Sequence, residues 1–300
     1  MEQSKVNYST YWLVEESKKI IKMAAQAAEQ KQCELELCFS GGKDSEIMRL
    51  IAIDAGVKFR AVYKQTTIDR PRTTAYCLER DVDVLRPSET FLQMLSRKGF
   101  PTRRCRWCCE RLKEYKVSDV ALVGVRRSES RQRSLRYNEV SQCRVYHRGG
   151  NCEQFFPLLN WEVYNEHEFC IVNKVQLHPH YYDDDGQLQI HRRLGCIGCP
   201  LRGDNGKSDF KEFPMMLRQW LISSYKWWNF TKGTTKNKFS SPQKVLIHNL
   251  FCRSYKEYVE KFENVLFGFS DMDALYMLSS YFGLSYDILR NDFLLYVEKK

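Results

Sequence analysis

Long apolar runs are missing from this sequence of 300 residues. No stretch approaches the roughly 18 consecutive apolar residues that a membrane-spanning helix requires, so no membrane partner is expected. The stretch MEQSKVNYSTYWLVEESKK mixes acidic residues into its apolar positions and shows no small-residue cleavage site, so it does not read as a signal peptide. Internal repeats are absent as well. These absences predict an ordinary globular protein of the cytoplasm.

Charge of one sign is in excess, because 47 Lys and Arg face 37 Asp and Glu and give a formal net charge of +10. The excess indicates a phosphate-bearing partner, either a nucleotide or a nucleic acid, although a solvated basic surface explains it equally well. The 12 cysteines, without a secretion signal, favour thiol or metal chemistry over a disulfide scaffold.

The first half of the sequence alternates strand and helix patterns. A helix over residues 9–30 is predicted from its apolar face and from Ser9 or Thr10 as the cap. Predicted strands cover residues 33–40, 57–63, 81–86 and 119–125, and a second helix covers 45–56. Strands that alternate with helices predict βαβ units, and therefore an α/β fold with a mostly parallel sheet flanked by helices.

The pattern changes after about residue 150. QFFPLLNW (154–161) is apolar and predicted to be extended, whereas 178–200 is polar, rich in turn signals and without a period. Helix patterns dominate from 208 onward. The predicted regions are an N-terminal helix (1–32), a central domain (33–205) and a helical C-terminal region (206–300).

The stretch CFSGGKDSE (38–46) joins a strand pattern to a helix pattern through two glycines. Glycines allow successive backbone N–H groups to converge on an anion, and the helix N-terminus adds positive potential at the same place. Lys43 is expected to supply a mobile positive charge. A plain strand-to-helix turn is the competing interpretation. The predicted phosphate-binding residues of this turn are Ser40, Gly41, Gly42, Lys43, Asp44 and Ser45.

The spacing of SGGKDS differs from the Walker loop, where four residues separate the first glycine from Gly-Lys. It resembles the pyrophosphate-loop (PP-loop) motif of the adenine nucleotide α-hydrolase-like superfamily, which has a Rossmann-like fold. The resemblance implies an adenine nucleotide at the carboxyl ends of the parallel strands, where open α/β sheets bind ligands.

Five cysteines fall into two groups far apart in the sequence. Thiolates are the usual ligands of zinc and of iron–sulfur centres. Two Cys-x-x-Cys pairs suit a zinc site, whereas two adjacent cysteines suit two irons of one cluster, so the spacing leaves both metals open. The two groups are Cys105, Cys108 and Cys109 in FPTRRCRWCCERLKEYKV, and Cys196 and Cys199 in GCIGCP. The other seven are expected to be ordinary buried residues: Cys33, Cys38, Cys77, Cys143, Cys152, Cys170 and Cys252.

Three further stretches narrow the resemblance. WCCERLK followed by Cys-x-x-Cys resembles the cluster-binding signature of assimilatory adenylyl-sulfate reductases. VALVGVRRSESRQRS (120–134) is similar to the strand and loop in which a glycine and paired arginines meet the substrate, and FFPLLNWEVYNEHEF to the segment before the second cysteine pair. Over about residues 34–200 the sequence is identified as a member of the phosphoadenylyl-sulfate (PAPS)/adenylyl-sulfate reductase-like family.

This resemblance implies cofactor, ligand and partner. It implies a [4Fe–4S] cluster beside the nucleotide, with zinc as the alternative metal. Arg126 and Arg127 would contact ATP, adenylyl sulfate or PAPS, because guanidinium groups match phosphate and sulfate oxygens. A thiol reductant protein is the implied partner of a reductase. The implied cluster ligands are Cys108, Cys109, Cys196 and Cys199, with Cys105 as the rival ligand.

The catalytic residue remains unknown at this point. The similar reductases carry a nucleophilic cysteine in a C-terminal Glu-Cys-Gly-x-His tail, whereas this sequence ends LSYDILRNDFLLYVEKK. Three functions therefore stay open. The first is an enzyme of the reductase type, and the second is an ATP-dependent sulfur transferase that modifies a nucleic acid, which the basic charge favours. The third is a non-catalytic, nucleotide-responsive binding subunit, which the missing tail favours.

Overall fold

The computed structural model describes residues 9–102, 105–146, 149–266 and 268–297. The strands are β1 (Leu35–Phe39), β2 (Arg60–Lys64), β3 (Asp83–Leu85), β4 (Val120–Leu122), β5 (Ser141–Tyr146) and β6 (Gly150–Phe155). The α-helices are α1 (Thr10–Gln30), α2 (Lys43–Asp54), α3 (Thr73–Leu78), α4 (Phe91–Lys98), α5 (Trp107–Leu112), α6 (Arg131–Arg136), α7 (Val163–Val172), α8 (Lys207–Glu212), α9 (Pro214–Thr231), α10 (Pro242–Phe251), α11 (Tyr255–Tyr258), α12 (Asp271–Phe282) and α13 (Tyr286–Val297).

The six strands form one sheet in the order β3-β2-β1-β4-β6-β5. All neighbours are parallel except β5 and β6, which form an antiparallel hairpin. In the centre of the sheet Leu37 pairs with Ala61 on one side and with Leu122 on the other. The predicted α/β class, with its mostly parallel sheet and helical C-terminal region, is confirmed.

Some predicted elements differ from the structure. Helix α2 begins at Lys43, because Gly42 and not a later residue occupies its N-cap position. The extended prediction for 154–161 is wrong beyond Phe155, where hydrogen bonds such as Leu159 N–H to Phe156 O, 3.2 Å, form a turn. Strand β5 was not predicted, because SQCRVY lacks the apolar alternation that marks a strand.

The chain divides into two compact units. Unit 1 contains Met1–Gln65, Arg70–Pro87 and Glu110–Gly195, and unit 2 contains Thr66–Asp69, Ser88–Cys109 and Cys196–Lys300. The predicted region boundaries after residues 32 and 205 stay predictions.

The main core of unit 1 lies on one face of the sheet. Leu13 and Ile21 of α1, Ile47 of α2 and Leu37 of β1 are each 1% exposed or less and belong to one apolar cluster. The alternation of strand side chains sends Glu36 and Cys38 to the opposite face, where Cys38 packs against the smaller cluster of Ala121, Tyr146 and Cys152.

Unit 2 is built around aromatic side chains. Trp220 of α9 is 2% exposed, and its ring centroid lies 5.0 Å from that of Phe91 and 5.3 Å from that of Phe210. Two parallel contacts of 2.8 Å between Arg218 and Asp292 tie α9 to α13. Among the described helices, none has the length and apolar character needed to cross a membrane.

Candidate functional site

The turn between β1 and α2 requires glycine at position 41. The φ of Gly41 is +76°, in the left-handed region that favours glycine. A Cβ at this position would also lie 3.1 Å from Cγ2 of Thr73 and 3.2 Å from Cδ2 of Leu194. Backbone conformation and close packing therefore act together to fix this residue.

Hydroxyl groups of the same turn hold its shape. Oγ of Ser45 donates to the carbonyl of Gly42 at 2.8 Å and accepts from the N–H of Ser40 at 3.2 Å. The N–H of Lys43 donates to the hydroxyl of Tyr181 at 3.1 Å. Gly42 caps α2 without a side-chain hydrogen bond, so the positive end of a 12-residue helix faces the turn. This arrangement is typical of a phosphate-binding helix N-terminus.

Lys43 lies differently from the prediction of a mobile charge. It is 4% exposed, and its Nζ lies 3.7 Å from Oε2 of Glu166 in α7 and 5.8 Å from the ring centroid of Tyr181. The ammonium thus lies buried against the carboxyl group of Glu166 in this structure. Its contact with a phosphate stays a prediction and requires the ammonium to leave Glu166.

Glu166 is the centre of a buried charge cluster beneath the turn. Nε of Arg126 lies 2.5 Å from Oδ1 of Asp44 and 3.0 Å from Oε1 of Glu166, which is fully buried. Neither Glu166 oxygen accepts a hydrogen bond from an N–H or hydroxyl group of the described residues. A proton shared between Glu166 and Asp44 satisfies this arrangement.

The pKa values of the two carboxyl groups move in opposite directions. Burial first, and then the hydrogen bond and charge of Asp44, raise the pKa of Glu166. Burial opposes the ionisation of Asp44, but the hydrogen bond with Glu166 and the charges of Arg126 and Lys43 outweigh it and lower the pKa of Asp44. At neutral pH Asp44 is therefore ionised and Glu166 holds a proton.

The two predicted arginines both point into the protein. Arg127 donates to the carbonyl of Tyr137 at 2.7 Å, to Oδ1 of Asn160 at 3.0 Å and to the carbonyl of Asn138 at 2.5 Å. Arg126 is 4% exposed and serves the charge cluster. The proposed contacts of both guanidinium groups with phosphate or sulfate stay predictions.

A cavity of about 240 Å³ opens beside the turn, at the carboxyl ends of β1, β2 and β4. Ser40, Asp44 and Ser45 line it from the turn. Sequence reasoning missed the cationic side chains that line it from elsewhere, which are Lys64, Lys113 and Arg144. The cavity therefore combines hydroxyl groups, cations, the carboxylates of Asp44 and Glu114 and the first turn of α2, whereas Gly41, Gly42 and Lys43 do not line it. It lies at the edge of the sheet where open α/β proteins bind ligands.

Lys64 and Cys38 are cavity residues whose surroundings only the fold reveals. Nζ of Lys64 lies 2.8 Å from Oε1 of Glu36, and the thiol of Cys38 donates to the same oxygen at 3.4 Å. Burial first, and then the negative charge of Glu36, raise the pKa of Cys38, so its thiol stays protonated. The strand pattern LELCF could have revealed this arrangement, because side chains two positions apart in a strand share a face, and this rule places Glu36 and Cys38 together.

The five clustered cysteines all belong to unit 2. Cys108, Cys109, Cys196 and Cys199 are half-buried, whereas Cys105 is exposed. Cys108 is hydrogen-bonded to Cys109 and lies within electrostatic range of Cys196, and these contacts together with burial raise its pKa. The hydroxyl of Thr66 lies 3.5 Å from Sγ of Cys196. The fold thus places Cys108 of the first sequence group within electrostatic range of Cys196 of the second.

This group is composed of thiols, which is the donor chemistry of an iron–sulfur cluster. Within the described ranges, no three or more His, Cys, Asp or Glu side chains form a group with metal-binding geometry. Among the seven cysteines expected to be buried, Cys143 is exposed, because it lies on the edge strand β5. Cys33 and Cys38 are half-buried, and the others are buried.

Fold and turn define a mostly parallel α/β protein with a glycine turn and a helix N-terminus at the carboxyl ends of its central strands. The chain belongs to the phosphoadenosine phosphosulfate reductase domain family, whose model matches residues 34–202. Members of this family bind adenine nucleotides or sulfonucleotides as substrates. The predicted family is therefore confirmed.

Other known proteins show weaker likenesses. An uncharacterized protein of Methanocaldococcus jannaschii is 29% identical over 230 residues, which cover 70% of this chain and 52% of the relative. The chain thus spans about half the length of that relative. The structure of a PAPS reductase from Candida auris, in a phosphate complex, matches with a TM-score of 0.41 and 13% identity. The match covers 64% of this chain and 98% of the Candida auris chain. An FMN adenylyltransferase from Candida glabrata, in complex with FMN and an ATP analogue, has a TM-score of 0.38 and 11% identity, with coverages of 64% and 66%.

Proposed function

We propose that the chain is an enzyme of sulfur metabolism that binds ATP or a sulfonucleotide at the SGGKDS turn. The cavity beside the turn carries this proposal. It joins the N-terminus of α2 to Ser40, Ser45 and the cationic side chains of Lys64 and Arg144. Such a site binds a polyphosphate or phosphosulfate group through backbone amides and charge-assisted hydrogen bonds.

The proposal includes a [4Fe–4S] cluster in unit 2. Cys108, Cys109, Cys196 and Cys199 would hold it, because these four thiols are half-buried and Cys105 is exposed. A bound cluster supplies redox chemistry or a strong local charge. The hydroxyl of Thr66, which donates to Oδ1 of Asp69 at 2.7 Å, lies 3.5 Å from the sulfur of Cys196. Zinc on Cys105 and Cys108 with the second pair is the alternative metal site.

Charge distribution supports ATP-dependent sulfur transfer to a nucleic acid as the second candidate function. Unit 2 holds 20 of the 47 lysines and arginines but only 13 of the 37 acidic residues, so most of the excess positive charge falls in this unit. Such an excess favours a polyanionic acceptor.

Cys252, the last cysteine of the sequence, is 6% exposed. This burial makes it a poor nucleophile for the reductase reaction, since burial raises its pKa to about 11.

Anaerobic incubation with ATP, adenylyl sulfate and PAPS, with sulfite, AMP and pyrophosphate assayed separately, tests the proposal. Sulfite indicates a reductase, and AMP or pyrophosphate from ATP indicates an activating transferase. Nucleotide binding without any product indicates a binding subunit, and absence of both binding and product contradicts the proposal.

A matched pair of variants assigns the reaction to the cavity. Arg144→Gln removes a cation of the cavity wall that pairs with Glu114 at 2.8 Å. Arg60→Gln removes a strand arginine that pairs with Asp83 at 2.6 Å outside the cavity. We expect KM to rise at least about fivefold for Arg144→Gln and to stay unchanged for Arg60→Gln.

A further inference from the structure

A second cavity, of about 720 Å³, lies entirely within unit 2. Its lining comes from the loop before α5, from the loop after the second cysteine pair, and from α10 with the turn that follows. The side chains with hydrogen-bonding groups in this lining, apart from the buried nitrogens of His248, are Thr102, Asn205, Asn249, Arg253 and Ser254. The volume lies within the range of small-molecule and cofactor sites.

The charge of this lining has one sign. Arg253 is the charged residue among the lining residues that the structure describes, and none of them is acidic. Glu257, the nearby carboxylate, accepts from the backbone N–H of Arg253 at 2.7 Å and pairs with Lys261 at 2.5 Å. A guanidinium in a wall without carboxylates favours an anion, and bidentate geometry suits a phosphate group.

The ring of His248 forms part of the same wall, although neither of its nitrogens is exposed to the cavity. Both of its ring nitrogens are buried and have no hydrogen-bond partner among the described residues. Burial lowers the pKa of this imidazole and so favours its neutral form. Its centroid lies 5.1 Å from that of Phe239 and 5.9 Å from that of Tyr258, which fixes the ring at the wall.

We propose that this cavity binds a phosphate-bearing nucleotide, with the phosphate on Arg253 and the sugar and base edges on the amide oxygens of Asn205 and Asn249, whose amide nitrogens donate to the carbonyls of Leu250 and Val245. The nucleotide is either a free mononucleotide or one unit of a single-stranded nucleic acid, because both present the same chemistry. The site is independent of the phosphate turn, since all of its residues belong to unit 2.

Two pairs of variants in the full-length protein test the site. Arg253→Gln removes the lining cation, and Lys256→Gln makes the same charge change at a side chain that is 87% exposed. Gly203→Phe fills the cavity, whereas Gly203→Ala does not. A Cβ at position 203 meets no heavy atom within 4 Å, so neither substitution meets a clash at its Cβ.

Calorimetry with AMP, and fluorescence anisotropy with a labelled single-stranded oligonucleotide at fixed salt, measure the binding. We expect Arg253→Gln and Gly203→Phe to lower the affinity for one probe at least about tenfold, or to remove one equivalent of bound AMP, while both controls change it less than about twofold. Loss of AMP binding identifies a free nucleotide, and loss confined to the oligonucleotide identifies a nucleic-acid unit.

The proposal is wrong if neither probe saturates, if Lys256→Gln weakens binding as much as Arg253→Gln, or if Gly203→Phe binds like Gly203→Ala. Arg144→Gln, in the cavity of unit 1, is expected to leave this binding unchanged. Failure of the nucleotide site beside the turn is therefore distinguishable from failure of this one.

Discussion

Nζ of Lys43 lies 3.7 Å from Oε2 of Glu166, and the two side chains are 6% and 0% exposed. The lysine of the SGGKDS turn is therefore held by a carboxyl group that lies 123 positions later in the sequence, in α7. A protonated Glu166 attracts the ammonium less than an ionised one would. The pair can accordingly separate when a phosphate competes for Lys43.

Replacing Lys43 tests this exchange of partners. Lys43→Met keeps most of the buried aliphatic volume and removes the charge, so we expect ATP affinity to fall at least about tenfold by calorimetry. Lys58→Met is the control, because Lys58 is exposed. Unchanged affinity in Lys43→Met would restrict this lysine to a structural role.

The raised pKa of Glu166 predicts a pH dependence of stability. Because the folded pKa exceeds the ordinary value of 4.5, the folded state binds more protons, and stability is lost as the pH rises above that value. The slope is at most about 1.4 kcal/mol per pH unit. Glu166→Gln mimics the protonated form, so its unfolding temperature should fall less than that of the wild type between pH 5 and pH 9.

Glu29→Gln, at the exposed end of α1, is the control for this measurement and should follow the wild-type profile. Parallel profiles for the wild type and Glu166→Gln would show that Glu166 is ionised in the folded protein.

Alanine substitutions at Gly41 and Gly56 distinguish the cost of backbone strain from the cost of close packing. Gly41→Ala forces a left-handed conformation and places Cβ against Thr73 and Leu194, whereas Gly56→Ala has the same type of backbone, with φ of +68°, and open space. Left-handed strain costs about 1–2 kcal/mol in both variants. We expect a larger loss of unfolding free energy for Gly41→Ala, and loss of ATP binding in that variant alone. Equal effects would remove the packing argument.

Iron content tests the proposed cluster independently of activity. Anaerobically purified protein should contain about four irons per chain, as for a [4Fe–4S] centre. Cys196→Ser should abolish the iron, and Cys105→Ser and the exposed Cys143→Ser should retain it. One zinc without iron, lost in Cys105→Ser, would instead establish the alternative site.

Asp209 is expected to hold the second cysteine pair in position. Its fully buried carboxylate accepts from the N–H of Gly198 at 3.1 Å and from Arg202 at 2.5 Å. Asp209→Asn should lower the unfolding free energy by about 1–3 kcal/mol and reduce the iron content. The exposed Asp287 of α13 provides the control Asp287→Asn. Normal iron content in a destabilised Asp209→Asn would limit this residue to fold stability.

Local patterns were sufficient to predict the elements that combine apolar periodicity with clear caps. Helix α1 and the central strands β1 and β4 lie within their predicted ranges, because their buried residues recur at the helix or strand period. Strand β5 could not be predicted in this way, because it lies at the edge of the sheet and buries little apolar surface. Its residues do not alternate regularly between buried and exposed positions, and Cys143 is exposed.

Long-range contacts explain what the sequence did not reveal about the sites. The turn was visible as SGGKDS, but the burial of Lys43 depends on Glu166, and the engagement of Arg127 depends on Asn160 and on backbone carbonyls. Each partner lies on an element whose position only the assembled sheet fixes. Likewise, nothing local marks Arg144 as a cavity residue, because the β5–β6 hairpin brings it there.

The interleaving of the two units along the sequence has a consequence for the expression of fragments. The polypeptide passes between them at 65/66, 69/70, 87/88, 109/110 and 195/196, so Ser88–Cys109 folds with the C-terminal helices. A fragment trimmed to the family match at 34–202 would retain α4 and discard α9, whose Trp220 covers Phe91. We expect such a fragment to aggregate on expression. The C-terminal helices are thus part of the apolar core that α4 needs in order to fold.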